Sequence, residues 1–275
     1  MLTRRLPATG EEIPVIGLGT WQVFDVEATP SELAQRRAVL EALFAAGGRV
    51  IDSSPMYGRA EAITGMLLKD MDAREKAYLA TKVWTQGEAA GIAQMEASFA
   101  KLQAGRTIDL MQIHNLVDWR THLKTLRRWK GDGRVRAIGI THYTVSSLAD
   151  LEAVIKTEAI DVVQLVHSIG VRAAEDRILP LCQERGVGVI VNQPFGQGGF
   201  FARVRGKPLP DWAAELGIAS WAQLFLKYIV SHPAVTCAIP GTSKAGNMAD
   251  NAAAGSGRMP DAAERRRMAQ LWDRI

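Results

Sequence analysis

The sequence predicts an α/β fold: a closed (β/α)8 TIM barrel of parallel strands with an extra C-terminal helix. Three observations carry this. Strand-like apolar runs alternate with helical spacing eight times along 275 residues. The runs are short and almost unbroken in apolar character, as strands covered on both faces must be. Several end in a titratable residue, where parallel barrels gather their chemistry.

Taken in order, Val15 to Trp21 reads as the first strand, closing in a Gly-rich turn. Ser31 to Ala46 has helical spacing through Leu33, Arg37, Leu40 and Phe44, with Ser31 as N-cap and Gly47 as stop. Val50 to Ser53 is strand two, and Arg59 to Met71 is a helix with Ile63, Met66 and Leu67 on one stripe. Tyr78 to Val83 is strand three, Glu88 to Leu102 a helix, and Ile108 to Ile113 strand four. The second half repeats the pattern. Helices are expected at Thr121–Lys130, Val145–Thr157, Ala173–Arg185, Asp211–Ile229 (one or two) and Lys244–Ala254. Strands are expected at Arg136–Ile140, Ile160–Val166, Val187–Val191 and Val235–Ile239, and Asp261–Arg274 is the added helix. No linker divides residues 1–275, so one domain is expected. Gly17-x-Gly19 lacks the third glycine of a dinucleotide fingerprint, and the next helix starts too late, so it reads as a site of close backbone approach.

Composition excludes several function classes. Lys+Arg number 33 against Asp+Glu 29, a mild net charge of +4, and the basic residues are scattered. Nucleic acid is therefore not the expected partner. No apolar run is long enough for a membrane span, and Met1 to Pro7 precedes no apolar signal segment. Cys182 and Cys237, the only cysteines, read as buried small side chains without metal or redox spacing. A reducing, cytoplasmic setting is the expectation.

Three strands in succession deliver the chemistry: Asp52, with Tyr57 on the turn that follows it, then Lys82, then His114. A phenol titrates near ~10 and is a poor acid at neutral pH. An ammonium about 4 Å away, at an effective dielectric of ~20, favours the phenolate by roughly 4 kcal/mol at most; burial opposes this. Lys82 is expected to tune Tyr57, Asp52 to hold Lys82 charged, and His114 to orient a substrate oxygen. These are parts suited to protonating a carbonyl oxygen as hydride reaches its carbon. None of them donates hydride, so a redox cofactor is required.

Asp52-Ser53-Ser54-Pro55-Met56-Tyr57-Gly58, Thr81-Lys82 and Gln112-Ile113-His114, in this order, resemble the signatures of the aldo-keto reductase superfamily, and the likeness runs from Gly17 to Asn251. The resemblance implies NAD(P)H-dependent reduction of an aldehyde or ketone, with Tyr57 as general acid, Lys82 and Asp52 as its partners, and His114 as orienting group. It further implies cofactor contacts from Gly19, Thr20, Trp21, Asp52, Thr141, His142 and Gln164. Others are Asn192, Pro194, Phe195, Gly196 and Gln197, then Gly241, Thr242, Ser243, Lys244, Asn247, Asp250 and Asn251. Thr141-His142 replaces the usual Ser-Asn that grips the carboxamide. Asn192 replaces the tyrosine that stacks on nicotinamide, leaving Phe195 as a candidate substitute. Gly241 and Asn247 replace basic residues near the adenosine phosphate, which weakens the case for a 2′-phosphate; the resemblance still implies NADPH, with NADH or dual use as alternatives. Trp21, Phe24, Met56, Tyr57, Trp84, His114 and Trp119 are the expected substrate pocket.

Two other readings stand beside this one. His114, His142 and His167 lie at or beyond the ends of successive strands and would suit a metal-dependent barrel hydrolase. The chain would alternatively be a non-catalytic, cofactor-sensing member of the family. No protein-bound metal is expected under the reductase reading, and oligomeric state is not legible.

Overall fold

A computed structural model describes residues 1–275. Its centre is an eight-stranded parallel sheet: β3 (Leu18–Gly19), β4 (Val50–Asp52), β5 (Tyr78–Val83), β6 (Ile108–His114), β7 (Val135–Thr141), β8 (Val162–Val166), β9 (Gly188–Asn192) and β10 (Cys237–Ala238), paired in chain order. The two shortest strands close the ring. The Gly17 N–H donates to Ala238 O at 2.9 Å, Ala238 N–H donates to Val15 O at 2.9 Å, and Gly19 N–H donates to Pro240 O at 3.2 Å. A Cβ on Gly19 would lie 2.8 Å from Ile239 O. Glycine there lets the backbones meet at the seam, the close approach expected of this segment.

Helices α1 (Pro30–Ala45), α2 (Ala60–Asp70), α3 (Glu88–Lys101), α4 (Trp119–Gly131), α5 (Leu148–Thr157), α6 (Ile178–Arg185), α7 (Gly199–Arg203), α8 (Trp221–Val230) and α9 (Ala245–Ala253) fall in the crossovers, and α10 (Ala262–Arg274) follows. Thr29, not Ser31, caps α1: its hydroxyl accepts from Glu32 N–H, and Pro30 takes the first turn, where no donor is needed. Asp261 and Glu264 form a reciprocal capping box on α10. The Asp211–Ile229 segment resolves into a 3-10 turn over Asp211–Leu216 and α8, separated at Gly217. Helix α7 was not expected from the sequence.

Strand alternation sorts the core in two. Ile51, Leu79, Met111, Ile113, Ile138, Ile140, Val163, Leu165, Val189 and Val191 belong to the main apolar cluster with the helices. Their neighbours Val50, Tyr78, Ala80, Leu110, Ala137, Val162, Ile190 and Cys237 form a separate cluster inside the barrel. The unexpected N-terminal hairpin joins that inner cluster. Its strands β1 (Thr3–Arg5) and β2 (Glu12–Pro14) pair antiparallel, and Leu6 and Ile13, both nearly sealed from solvent, pack against the starts of the barrel strands. The interior is thus apolar at one end and plugged there, leaving the strand C-termini for polar groups. No helix is long and apolar enough to cross a membrane.

Candidate active site

Alternation continues upward and changes character. Two residues above Val50, Ala80, Leu110 and Val162 on the inward face stand Asp52, Lys82, Gln112 and Gln164, all buried. Lys82 has no exposed surface; its Nζ donates to Asp52 Oδ2 at 2.7 Å and to Ser53 O at 2.7 Å. The other carboxylate oxygen, Asp52 Oδ1, accepts from Gln164 Nε2 at 2.8 Å and Gln112 Nε2 at 3.2 Å. Thr20 fastens the same strand end from β3, its hydroxyl donating to Asp52 O at 2.9 Å and lying 3.0 Å from Ser53 Oγ. Asp52 is therefore saturated with donors, which a buried carboxylate requires.

Burial works against the Lys82 ammonium, yet the charge of Asp52 and the neighbouring Tyr57 outweigh it and hold its pKa above the ordinary lysine value. Tyr57 stands on the turn before α2, with the Lys82 ammonium 5.1 Å from its ring centre. Burial raises the Tyr57 pKa; Lys82 pulls it down and loses. Lys82 acts in the direction expected from the sequence, but burial outweighs it, so Lys82 moderates a rise. The phenol keeps its proton, the form a proton donor needs.

His114 ends β6, with its ring 5.8 Å from Tyr57 and nearly perpendicular to it, and 6.5 Å from the Trp84 ring. Burial, then the charge of Lys82, pushes its pKa down to about 2. It is a neutral imidazole at any working pH. Its Nδ1 lies 2.9 Å from Ser54 Oγ. Trp21, Met56 and Trp84 stand exposed at the rim.

The other expected site residues make contacts of several kinds. Phe24 is sealed from solvent inside the main core, so it packs the barrel wall and does not line the mouth. Phe195 meets Phe201 at 5.0 Å and Phe225 of α8 at 6.4 Å, an aromatic cluster among the helices. Asp250 spends both oxygens on the start of α8, accepting from Ser220 Oγ and Gln223 Nε2 at 2.7 Å each. Trp119 carries Arg120 over its ring. The His142 ring faces its own loop: Nδ1 accepts from Tyr143 N at 3.1 Å, Nε2 lies 3.2 Å from Ser147 Oγ, and the ring stacks on Tyr143. Thr141 and Gln164 stay together, Thr141 Oγ1 donating to Gln164 Oε1 at 3.4 Å.

The hydrolase reading fails on geometry. His167 points outward, with Nδ1 3.3 Å from Val171 O and Nε2 3.5 Å from Glu175, beside Tyr228 of α8. It cannot share a metal with His114, and no trio of His, Cys, Asp or Glu is arranged to hold one. Sequence reasoning missed Gln112 and Ser54. Gln112 was legible, two places before His114 on the same strand and hence on the same face. The Ser54 contact spans 60 positions and left no trace in the sequence.

The model of the Aldo/keto reductase family matches residues 15–272. A methylglyoxal reductase of Escherichia coli is 28% identical over 252 residues, covering 88% of this chain and 85% of its own. An aldo-keto reductase of a Mycobacterium species is 31% identical over 237 residues, with 82% and 70% covered. Among solved structures, an aldo/keto reductase of Klebsiella pneumoniae in complex with NADP and acetate superposes with a TM-score of 0.80 at 25% identity, covering 98% of this chain and 95% of that one. A match to the family model over all but the chain's ends, on a barrel whose mouth gathers Asp52, Lys82, Tyr57 and His114, has one consequence: this chain belongs to the aldo/keto reductase family.

Proposed function

We propose that the site reduces an aldehyde or ketone to an alcohol, with NADPH as reductant and Tyr57 as proton donor. The observation that carries the reading is the sealed Asp52–Lys82 pair beside a protonated phenol and a neutral imidazole. When bound, the nicotinamide supplies hydride to the carbonyl carbon. His114 donates a hydrogen bond to the carbonyl oxygen and orients it. Tyr57 passes its proton to that oxygen as charge develops there. Lys82 lowers the cost of the resulting phenolate, and Asp52 keeps Lys82 charged and fixed. Trp21, Met56 and Trp84 cover the apolar part of the substrate and exclude water.

The residues at the mouth suit such a cofactor. Asn192 Oδ1, at the end of β9, is buried and has no partner, and a carboxamide N–H is the donor that it lacks. Thr141, Gln164 and Asn192 would hold that amide. Gly241 to Lys244, Asn247 and Asn251 would hold the adenosine phosphate end, where Lys244 is the one cation of the set. The relative solved in complex with NADP supports NADPH. Dissociation constants for NADPH and NADH measured side by side test that preference; tighter NADH binding overturns it. A cytoplasmic setting belongs to the same reading and is consistent with two free, buried cysteines.

Tyr57→Phe tests the assigned acid. Turnover on an aldehyde panel should fall by about 10²- to 10⁴-fold, with NADPH binding, read by fluorescence, kept within about twofold. Unchanged turnover would remove Tyr57 from the mechanism.

A further inference from the structure

Ser54 is the third residue of the turn that leads from Asp52 to Tyr57, and it has no exposed surface. Two protein groups reach its hydroxyl. The Met56 backbone N–H donates to Oγ at 3.3 Å, and His114 Nδ1 lies 2.9 Å away. A hydroxyl has one proton to give and can accept two. A neutral imidazole has one protonated nitrogen and one bare one. These counts leave two arrangements. If Nδ1 carries the proton, Ser54 accepts from both Met56 and His114, and its own O–H has no acceptor in a sealed position. If Nδ1 is bare, Ser54 accepts from Met56 and donates to His114, and both the hydroxyl and Nδ1 are satisfied. Buried donors without partners are costly, so the second arrangement is preferred. The Asp52 carboxylate offers the serine no alternative, because Lys82, Gln112 and Gln164 occupy it.

We infer that Ser54 is a positioning residue that fixes His114 as the Nε2–H tautomer, presenting a hydrogen-bond donor to the substrate oxygen. The inference rests on the proposed carbonyl reduction for its consequence, but the tautomer itself does not. Ser54 also pins the ring plane, because its oxygen is tied to the backbone of its own turn through Met56. The turn that carries the proton donor Tyr57 thereby also aims the orienting group, so the two stay in register.

Two measurements test this. In nitrogen-15 spectra of the whole enzyme with labelled histidine, His114 should show a bare Nδ1 and a protonated Nε2. A protonated Nδ1 in the unaltered enzyme overturns the inference whatever the activity. In Ser54→Ala, the His114 signals should move toward a mixture of tautomers. The catalytic efficiency kcat/KM on an aldehyde should fall about tenfold, the worth of one lost buried hydrogen bond, with NADPH affinity unchanged. Ser54→Thr, which keeps the hydroxyl, should recover most of the loss. Loss in Ser54→Ala with an unmoved tautomer would mean that Ser54 only packs the turn, and overturns the inference. Should Ser54→Ala fail to fold, the spectrum of the unaltered enzyme still decides. An enzyme that shows the expected tautomer and reduces no carbonyl refutes the proposed reaction and leaves the Ser54 assignment standing.

Discussion

Replacing Lys82 by Met is the sharpest probe of the site's physics. The side chains have similar length, so the packing changes little while the charge disappears. In the native site the ammonium and the Asp52 carboxylate stand 2.7 Å apart, almost wholly out of water. At an effective dielectric of ~20 their attraction is about 6 kcal/mol. Most of that offsets the cost of burying two ions, so the pair adds little net stability. Removing one partner is a different matter. Asp52 keeps the two amide donors of Gln112 and Gln164 but loses its counter-charge. We expect Lys82→Met to cost about 3–5 kcal/mol. For a chain of this size that is a fall in melting temperature of roughly 6–20 °C. Asp52→Asn should cost a similar amount, because the Lys82 charge loses its counter-ion and keeps only neutral acceptors such as the Ser53 carbonyl. The double variant leaves no unmatched charge, so its loss should be smaller than the two single losses together. Urea unfolding followed by tryptophan fluorescence reads all three, since the chain has 7 Trp. Strict additivity, or a Lys82→Met loss under about 1 kcal/mol, would refute the reasoning.

Two further perturbations address other parts of the molecule. His167 is sealed outside the barrel, and burial, opposed by Glu175, pushes its pKa down to about 4. An unfolded histidine takes its proton near ~6.5, so between these values the unfolded chain binds more protons and stability falls as pH drops. The loss from His167 reaches about 3 kcal/mol by pH ~4, and His167→Gln should flatten the acid side of a urea-midpoint profile; an unchanged slope would rule out this source. Gly139 faces inward on β7, where a Cβ would lie 2.7 Å from Val162 O and 3.1 Å from Gln112 Cγ. Gly139→Ala should destabilise by about 1–3 kcal/mol and lower turnover by displacing an amide that holds Asp52; a variant with native melting temperature and rate would show that the β7–β8 contact has slack.

Much of the architecture was legible because barrel strands advertise themselves. The expected strand Tyr78–Val83 matches to the residue, since a run of six that is apolar apart from Thr81 and Lys82, between turn signals, has few other fates. The N-terminal hairpin was not legible. Strands of three residues carry no periodicity, and Leu6 and Ile13 acquire a purpose only once a barrel end needs a plug. Phe24 follows Trp21 closely in the chain, but proximity in sequence does not say which way a loop residue turns. Asp250 and Phe195 raise a related point. A motif gives an address along the chain, while α8 decides what their side chains meet. The sign of the Tyr57 shift was also beyond the sequence, because the charge of Lys82 can be guessed from a motif and the depth of burial cannot.

The catalytic cluster is better understood as the top layer of the barrel's own core than as a set of loop residues. Tyr78, Ala80 and Lys82 on β5 share one face, as do Leu110, Gln112 and His114 on β6, and Val162 and Gln164 on β8. Each strand is apolar at its start and polar at its end on the same inward face, so the water-excluding wall and the charged pair are made by one alternation. A slip of one residue in any of these strands would turn its polar group into the helix layer and its apolar neighbour into the site. The β4–β5 and β5–β6 registers place Asp52 beside Ala80 and Lys82 beside Gln112, which lets a long amine cross to a short acid without leaving the barrel. The plug at the opposite end serves the same chemistry at a distance. By sealing the apolar half of the interior, Leu6 and Ile13 keep water from reaching the Asp52–Lys82 pair from below, and the pair's electrostatics depend on that dryness.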